Sequence, residues 1–221
     1  MRLNALLLTC LLCVSAPPGR AGETPSPTPL PAANLSPLVH SMALPRDTAL
    51  AFRPLDNAAP RLSLDVASHF TSDRGRKSEI LLDGESYRTT FALRGRHHRL
   101  AWRLAVPWVT HNGGFLDGPI ENWHAFFGLP PGGRPGAPRD RILFRVGREE
   151  VLRLDRPVSG PGDVAGSLGY RLAGPEGGGG LALGMRLEAP TGDRDKLLGS
   201  GGWDGAVWLS ARRVGATELG R

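Results

Sequence analysis

The side chains best suited to chemistry lie together in one stretch, Thr110–Asp140, which contains His111, Asp117, Glu121 and His124. Imidazole and carboxylate groups together can bind zinc or transfer protons. On a helix, residues three or four positions apart are neighbours, so Asp117, Glu121 and His124 would share one side. The spacing of these residues therefore permits a small polar site.

The same residues have a structural interpretation, and their spacing does not match a recognised metal motif such as H-E-x-x-H. Asp117 would cap a helix, while Glu121 and His124 would hydrogen-bond inside a folded-in loop. A ligand gate is a further alternative. We predict no catalytic residues, no metal ligands and no cofactor. The candidate pore or loop residues are His111, Asp117, Glu121, Trp123 and His124.

Other possible sites are weaker. Ser68 and His69 are adjacent in an alternating segment, so their side chains point to opposite faces and cannot pair directly. A nucleophile and base would have to come from different strands, which the sequence does not reveal. The glycine run Gly177–Gly180 lacks the Lys-Ser/Thr of a phosphate loop, and Asp193 and Asp195 lack a full calcium-loop pattern. We predict no enzymatic activity.

The elements that would position the loop residues are strands. Apolar residues occupy every second position in Arg61–Thr71, Glu85–Gly95 and Arg99–Val109, a period of two that is typical of a strand with one apolar face. The segments are longer than the usual globular strand of about 5–6 residues and match the roughly 9–11 of a tilted transmembrane strand. We expect the three strands to form one contiguous wall.

The two faces of these strands differ in residue size. Large aliphatic and aromatic residues, with Trp102 and Trp108 among them, share one face, whereas small and charged residues share the other. A small, polar set suits the interior of a barrel, and a large apolar set suits lipid. A soluble β-sandwich with its apolar faces turned inward is the alternative.

The remaining segments predict shorter elements. Asp117–Phe127 reads as an amphipathic helix, because Ile120, Trp123, Phe126 and Phe127 form one apolar stripe and Pro119 suits the first turn. The other predictions are a first strand over Asp47–Arg53, a hairpin turn at Gly95–His98, and a hairpin that joins Ile142–Val146 to Val151–Leu154.

The N-terminal residues resemble a targeting segment. Residues 1–21 have a positive start, an apolar stretch and a small-residue end, which predicts a secretory signal peptide. A Pro-rich lead-in follows over 22–45, and the domain spans 46–221. Both cysteines, Cys10 and Cys13, lie in the signal, so we expect no disulfide and no thiolate site in the mature chain.

The chain is basic, with a net charge of +6 over 221 residues. A basic balance can indicate nucleic-acid binding when the positive residues cluster. Here the arginines are scattered singly through strands and turns. We therefore assign them to the polar face of the strands and to loops, and predict no nucleic-acid partner.

Several sequence blocks are similar to those of a known family. They are Ala67–Thr71 (ASHFT), Leu82–Glu85 (LDGE), His111–Phe127 (HNGGFLDGPIENWHAFF), Gly128–Pro130 (GLP), Gly162-Asp163, Pro190–Asp193 (PTGD) and Gly199–Asp204. With these blocks, the chain resembles an uncharacterised family of Gram-negative outer-membrane proteins over most of residues 35–213. The H-x-G-G-F-x-D…E-x-W-H block is the specific part. The resemblance implies an outer-membrane β-barrel and supplies no activity and no site residues.

Two departures from the resemblance concern the C-terminal part. Family members are longer, with further strands after the PTGD loop, and Ala211–Arg221 lacks the terminal aromatic of bacterial barrel strands. We expect a chain that is truncated or frame-shifted near Arg212, and thus an incomplete barrel.

The expected fold is all-β: an antiparallel up-and-down transmembrane β-barrel, incomplete, with a short helix in one long loop. The expected function is a passive pore or transport-type barrel, in which Thr110–Asp140 folds inward as a constriction. The alternatives are a structural or assembly barrel with a filled interior and a secreted β-sandwich binding module. The expected partners are outer-membrane lipid and the outer-membrane assembly machinery, and the expected location is the outer membrane. The oligomeric state is left open.

Overall fold

The computed structural model describes residues 34–40, 42–45, 47–52, 59–74, 79–147, 152–175 and 179–213. The predicted signal peptide and most of the predicted lead-in lie outside these residues. Within them are nine strands, one helix and two short 3-10 turns. The strands are β1 (Ala59–Arg74), β2 (Glu79–His97), β3 (Leu100–Asn112), β4 (Leu143–Val146), β5 (Leu152–Leu154), β6 (Val158–Pro161), β7 (Val164–Ala173), β8 (Gly180–Ala189) and β9 (Asp204–Arg212); the helix is α1 (Asp117–Phe127), and the 3-10 turns are Leu50–Phe52 and Arg134–Gly136.

The strands form one antiparallel sheet. Six long strands follow one another in the order β1-β2-β3-β7-β8-β9, each hydrogen-bonded to the next. The short strand β4 pairs with β2 beyond the end of β3 and with β5, and β6 pairs with β3. Among the described residues, no ladder joins β1 to β9. The protein is therefore all-β with an open sheet.

Most of the elements predicted from periodicity are confirmed. The three alternating segments are β1, β2 and β3 in one wall, and the predicted helix spans Asp117–Phe127. The β2–β3 hairpin turns at His98 and Arg99, and β4 and β5 form the later hairpin. The strand β2 is longer than predicted, because Ile80–Leu82 pairs with both β1 and β4.

The strand predicted over Asp47–Arg53 is wrong. The Asp47 carbonyl accepts a hydrogen bond from Leu50 N, which closes a turn, and Leu50–Phe52 is a 3-10 helix whose residues are all buried. Its weak alternation arises because Leu50 and Phe52 pack against the sheet, while the backbone does not join a ladder.

The two faces of the sheet have opposite character. We call one the apolar face; its large side chains are 40–72% exposed: Leu62, Leu64, Val66, Phe91, Leu104, Val106, Trp108, Leu168, Tyr170, Leu183, Met185, Leu187, Val207 and Leu209. The other, the polar face, carries small and charged residues that are at most 8% exposed: Ser86, Arg88, Thr90, Ala92, Ala101, Ala105, Ala165, Ser167, Arg171, Ala182, Arg186 and Glu188. The register places each set on a single side of the sheet. The predicted segregation of the two residue sets is confirmed, and the buried side is the polar one.

The polar face is covered by the start of the described chain. We call residues 34–40, 42–45 and 47–52 the N-terminal segment. Ala51 lies against Gly169 so closely that a Cβ added there would be 3.1 Å from the Ala51 nitrogen. Arg96 donates to the Ala51 carbonyl at 2.9 Å, and Ser167 donates to the Asp47 carboxylate at 2.7 Å. These contacts belong to the start of the predicted domain. The predicted lead-in, 22–45, also reaches the sheet, because Arg88 donates to the His40 carbonyl at 3.1 Å.

The long loop that carries α1 lies on the apolar face. Phe70 and Glu85 point to that face with Leu62 and Phe91, and both contact the loop: Arg134 lies over the Phe70 ring, and Glu85 accepts from Leu116 N. Thr110–Asp140 was predicted to fold inward, but it does not lie over the polar face, which is the side that the sequence assigns to the interior; the charged residues that hold it sit on the opposite side of the sheet from the N-terminal segment. Among the described residues, no helix is long and apolar enough to cross a membrane.

Candidate functional site

A cavity of about 650 Å³ lies between α1 and the apolar face of β1. Ser68 and Phe70 of β1 form its floor, α1 forms one wall, and residues 129–139 of the following loop form the other. Its volume is in the range of small-molecule sites, roughly 300–1,000 Å³. It is the candidate functional site of the described chain.

The helix is anchored above the sheet by Glu85, which is fully buried. Its Oε1 accepts hydrogen bonds from Phe115 N at 2.8 Å and from Leu116 N at 2.5 Å, and the Tyr87 hydroxyl donates to its other oxygen. A carboxylate at a helix N-terminus satisfies free N–H groups and complements the helix dipole. Gly114 has φ +71°, and a Cβ there would overlap the Glu85 carboxylate. The glycine is therefore required by the close approach.

The predicted N-cap is displaced by one residue. Leu116 is the N-cap, without a side-chain capping bond, and Asp117 is the first residue of the helix. The Asp117 carboxylate is committed elsewhere: it accepts from Asp140 N at 2.8 Å and pairs with Arg134. Glu85, on β2, accepts the hydrogen bonds at the start of the helix instead. The predicted cap by Asp117 is therefore wrong.

A buried ion-pair network fixes the loop to β2. The Arg134 guanidinium pairs with Asp83 and with Asp117, and Arg141 Nε donates to Asp83 Oδ2 at 2.8 Å. Asp83 is fully buried, and the Arg134 side chain is 8% exposed. Arg134 also lies 4.8 Å from the centroid of the Phe70 ring, a cation–π contact. Two acids and two arginines compensate one another, so the network holds the cavity wall without a net charge.

Three of the predicted residues meet at this cavity. Asp117, Glu121 and His124 all line it, as their helical spacing predicts. Glu121 accepts from Arg139 Nε at 2.9 Å, and His124 Nδ1 lies 3.1 Å from the Pro130 carbonyl oxygen. The structure accounts for each by a contact within the loop, and it leaves their part in function a prediction.

The other two predicted residues lie elsewhere. Trp123 is 61% exposed on the opposite side of α1, with its ring 4.5 Å from that of Phe127. With Phe126 (81% exposed), they form an exposed aromatic surface. Trp123, Phe126 and Phe127 of the apolar stripe thus point away from the cavity, whereas Ile120 lines it and Asp117 is the buried residue of the helix.

His111 lies on the polar face in a separate hydrogen-bonded chain. Its Nε2 is 3.0 Å from the Leu197 carbonyl, its Nδ1 is 2.8 Å from Ser86 Oγ, and Ser86 Oγ is 2.9 Å from His69 Nε2. A carbonyl only accepts, so His111 Nε2 donates and Nδ1 accepts the Ser86 proton; His69 then donates to Ser86. His40 Nε2 donates to the same Leu197 carbonyl at 2.8 Å.

In this series of hydrogen bonds the Ser86 hydroxyl donates to the His111 imidazole. The same contact is found in serine nucleophile–base pairs. Ser86 lies on β2 and His111 on β3, so this contact joins two different strands, while the side chains of Ser68 and His69 point to opposite faces. Ser86 is 4% exposed and His111 is fully buried, and neither lines the cavity. The hydrogen bonds from His69 to His40 thus link β1, β2, β3, the 190–202 loop and the N-terminal segment.

A third polar group lies at the far end of the polar face. Oxygen atoms of Asp163, Glu188 and Asp204 lie within 4.8 Å of one another, and carboxylate oxygens suit calcium or magnesium. Backbone N–H groups of Gly192 and Ser200 already donate to Asp163 at 2.9 and 2.7 Å. Arg186 Nε donates to Glu188 at 2.7 Å, so an internal cation already compensates part of the charge.

The 190–202 loop next to this group is ordered by its own acid. Asp193 accepts from Asp195 N at 3.0 Å and pairs with Lys196 at 2.6 Å. The hydrogen bond from Lys196 lowers the pKa of Asp193. Asp193 and Asp195, which faintly resembled a calcium loop, serve here as a local turn.

Sequence reasoning missed Arg134, which lines the cavity, and the two acids that hold the loop and helix in place, Asp83 and Glu85. One signal was available, since Asp83 and Glu85 interrupt the apolar side of β2 with two acids on the positions that Tyr87 and Phe91 continue. Buried charges are normally paired. That interruption indicates a basic or N–H-rich segment covering this end of the strand.

Comparison with known proteins gives a family and no activity. A family model described as "Protein of unknown function (DUF3187)" matches residues 5–220. No curated protein and no solved structure matches the chain.

Proposed function

We propose a function from geometry for this chain, which belongs to the DUF3187 family of proteins of unknown function: it forms the wall of an outer-membrane β-barrel whose polar interior is filled by its own N-terminal segment. The observation that carries the proposal is that the sheet exposes its apolar side and buries its polar side, the reverse of a soluble protein. Large apolar side chains are exposed across six strands, and charged side chains are buried on the other side.

The exposed apolar surface supports lipid contact. Its members are 40–72% exposed and adjacent across every pair of long strands. Soluble monomers rarely expose apolar patches larger than a few hundred Å², because each Å² of apolar surface in water costs about 25 cal/mol. In a transmembrane barrel the same alternation, apolar outward and polar inward, is the stable arrangement.

Strand length and aromatic placement agree with this proposal. The long strands have 16, 19, 13, 10, 10 and 9 residues, against the roughly 9–11 that a tilted strand needs to cross a bilayer. Near the end of β3, Trp108 Nε1 donates to Ser159 Oγ at 2.7 Å while its ring is 54% exposed. An amphipathic ring at a strand end suits an interfacial girdle.

The covered polar face favours a filled interior over an open pore. Asp47, Ala51 and His40 of the N-terminal segment contact Ser167, Gly169 and Arg88 on that face. A passive pore is the second candidate, supported by the arginines of the polar face, Arg88, Arg94, Arg96, Arg103, Arg171 and Arg186, which would line its wall. It requires the N-terminal segment to leave the sheet. A β-sandwich would need a second sheet over the apolar face, and the described residues form a single sheet.

The proposal also implies a partner at the sheet edges. The strands β1 and β9 each pair on one side only within the described chain, and unpaired backbone groups are not tolerated in lipid. Both edges must therefore pair with further strands or with another chain. We propose outer-membrane lipid and the machinery that assembles outer-membrane barrels as the other partners.

Fractionation of a Gram-negative host that expresses the full chain tests the location. We expect the protein in the outer-membrane pellet, resistant to carbonate extraction, and faster migration on SDS gels before heating than after. A protein that stays in the periplasmic supernatant would contradict the proposal. A matched variant, Leu104→Glu, places a charge on the apolar face and should reduce the outer-membrane fraction, while Thr71→Glu, at an exposed site of β1 on the other side of the sheet, should not.

A further inference from the structure

The geometry points to a binding site: we propose that the cavity between α1 and β1 takes an acyl compound, with its alkyl chain against the apolar walls and its carbonyl or carboxyl oxygen on Arg134. The inference concerns the cavity itself and goes beyond the barrel. It stands on the composition of the walls and on one buried donor.

The walls supply an apolar slot. Phe70 from β1, Ile120 and Ala125 from α1, and Leu129 and Pro131 from the loop line the cavity. Phe70 is held by the Arg134 guanidinium above its ring, and Ala125 leaves space because its side chain is small. Ligand sites of this kind are mainly apolar with a few placed polar groups.

The polar end supplies one donor, Arg134 Nε, that makes neither a hydrogen bond nor an ion pair among the described residues. Arg134 is 7% exposed and lines the cavity, and its Nε has no hydrogen-bond partner among the described residues. The rest of the guanidinium pairs with Asp83 and Asp117. Buried donors are nearly always hydrogen-bonded, so an acceptor that enters the cavity would complete the site.

The charges around the cavity limit which chemical head groups it can bind. Asp83 and Asp117 already compensate Arg134 and Arg141, and Glu121 pairs with Arg139 at the rim. A phosphate with two charges would lie beside Asp117 without a free cation. A neutral carbonyl brings no charge and needs one N–H donor, which Arg134 Nε offers. A single carboxylate brings one uncompensated charge in place of the two of such a phosphate. The acyl group of a fatty acid or of a phospholipid has this chemistry.

A photoreactive fatty acid with a diazirine in its chain tests the site on the full chain. After photolysis, we expect saturable labelling of peptides from residues 117–134. Ala125→Phe should fill the slot and reduce that labelling at least tenfold. Phe126→Ala, at the next position and 81% exposed, should leave it unchanged. A diazirine alkane of equal length without the carboxyl should label the site at least tenfold less.

Competition identifies the source of the acyl group. Displacement of the probe by palmitic acid alone indicates a free fatty acid, displacement by lysophosphatidylcholine alone indicates a phospholipid, and displacement by both supports the shared acyl chemistry. The proposal is overturned if neither competes, if Ala125→Phe labels as the wild type does, or if labelling is spread evenly over the apolar face. Because Ala125 is exposed on α1, the filling variant is expected to fold. Arg134→Gln is not used, because it would leave the buried carboxylates of Asp83 and Asp117 without their cation.

Discussion

At the scale of single residues, the polar face is crowded enough that some positions have room only for glycine. Gly184 of β8 lies opposite Trp208 of β9, and a Cβ at Gly184 would lie 2.2 Å from the indole. The ring therefore occupies the place of a side chain. A similar pair occurs on the apolar face, where Gly95 faces Trp102.

Gly184→Ala should destabilise the protein by about 1–3 kcal/mol, because the added methyl forces Trp208 out of its position. Chemical unfolding of the refolded protein measures the change. Gly166→Ala is the matched control, since nothing lies within 4 Å of its Cβ position. If the double variant Gly184→Ala/Trp208→Ala recovers none of the loss, steric conflict with the ring is not the cause.

Ser86→Ala should cost about 1–3 kcal/mol, since it leaves imidazole nitrogens of His69 and His111 buried without their common partner. The same unfolding measurement applies. Ser72→Ala, at an exposed position of β1, should change stability by less than about 0.5 kcal/mol. Equal effects of the two substitutions would show that the hydrogen-bonded chain adds nothing to stability.

At this scale, helical spacing was enough to bring Asp117, Glu121 and His124 to one site, because all three lie on one short element. Spacing could not reveal Asp83 or Arg134, which meet only when the loop returns over β2, 51 positions apart in the chain. The chain from His69 through Ser86 to His111 is likewise built from three strands and depends on their register.

At the scale of elements, α1 is held through its N-terminus by Glu85. Glu85→Ala should raise the hydrogen-exchange rates of Phe115 and Leu116 about tenfold or more, because loss of roughly 1.4 kcal/mol is a factor of ten and bonds to a charged group contribute about 1.5–3 kcal/mol. Exchange followed by mass spectrometry over residues 113–128 measures it. Glu79→Ala, which removes the Arg145 pair at the end of β2, is the control. Unchanged exchange in Glu85→Ala would contradict the anchoring role.

The strands and the helix could be predicted because periodicity is local. The face that α1 covers could not, since alternation defines two faces without saying which one a loop crosses. The strand predicted over Asp47–Arg53 was wrong for a related reason. Leu50, Ala51 and Phe52 are all buried against the sheet from a 3-10 turn, and such a run of apolar residues looks like a strand in the sequence. The small and large faces were correctly separated because residue size follows strand parity.

At the scale of the whole molecule, the proposed barrel has the N-terminal segment inside and α1 outside. Deleting residues 34–52 should therefore raise single-channel conductance in planar bilayers, whereas deleting Asp117–Phe127 should leave it unchanged. The wild type is expected to conduct poorly. If deletion of α1 alone raised the conductance, the loop that carries α1 would be the constriction, and this placement would be contradicted.

The central claim, that the apolar face meets lipid, is tested most directly by spin labels on β9. Both cysteines, Cys10 and Cys13, lie in the predicted signal peptide, so the mature chain accepts single labels at Ala206, Val207, Leu209 and Ser210. In reconstituted bilayers, the account predicts that labels at 207 and 209 collide with oxygen and are protected from a water-soluble nickel complex, while labels at 206 and 210 are not lipid-exposed. Ready access of the nickel complex to 207 and 209 would contradict it.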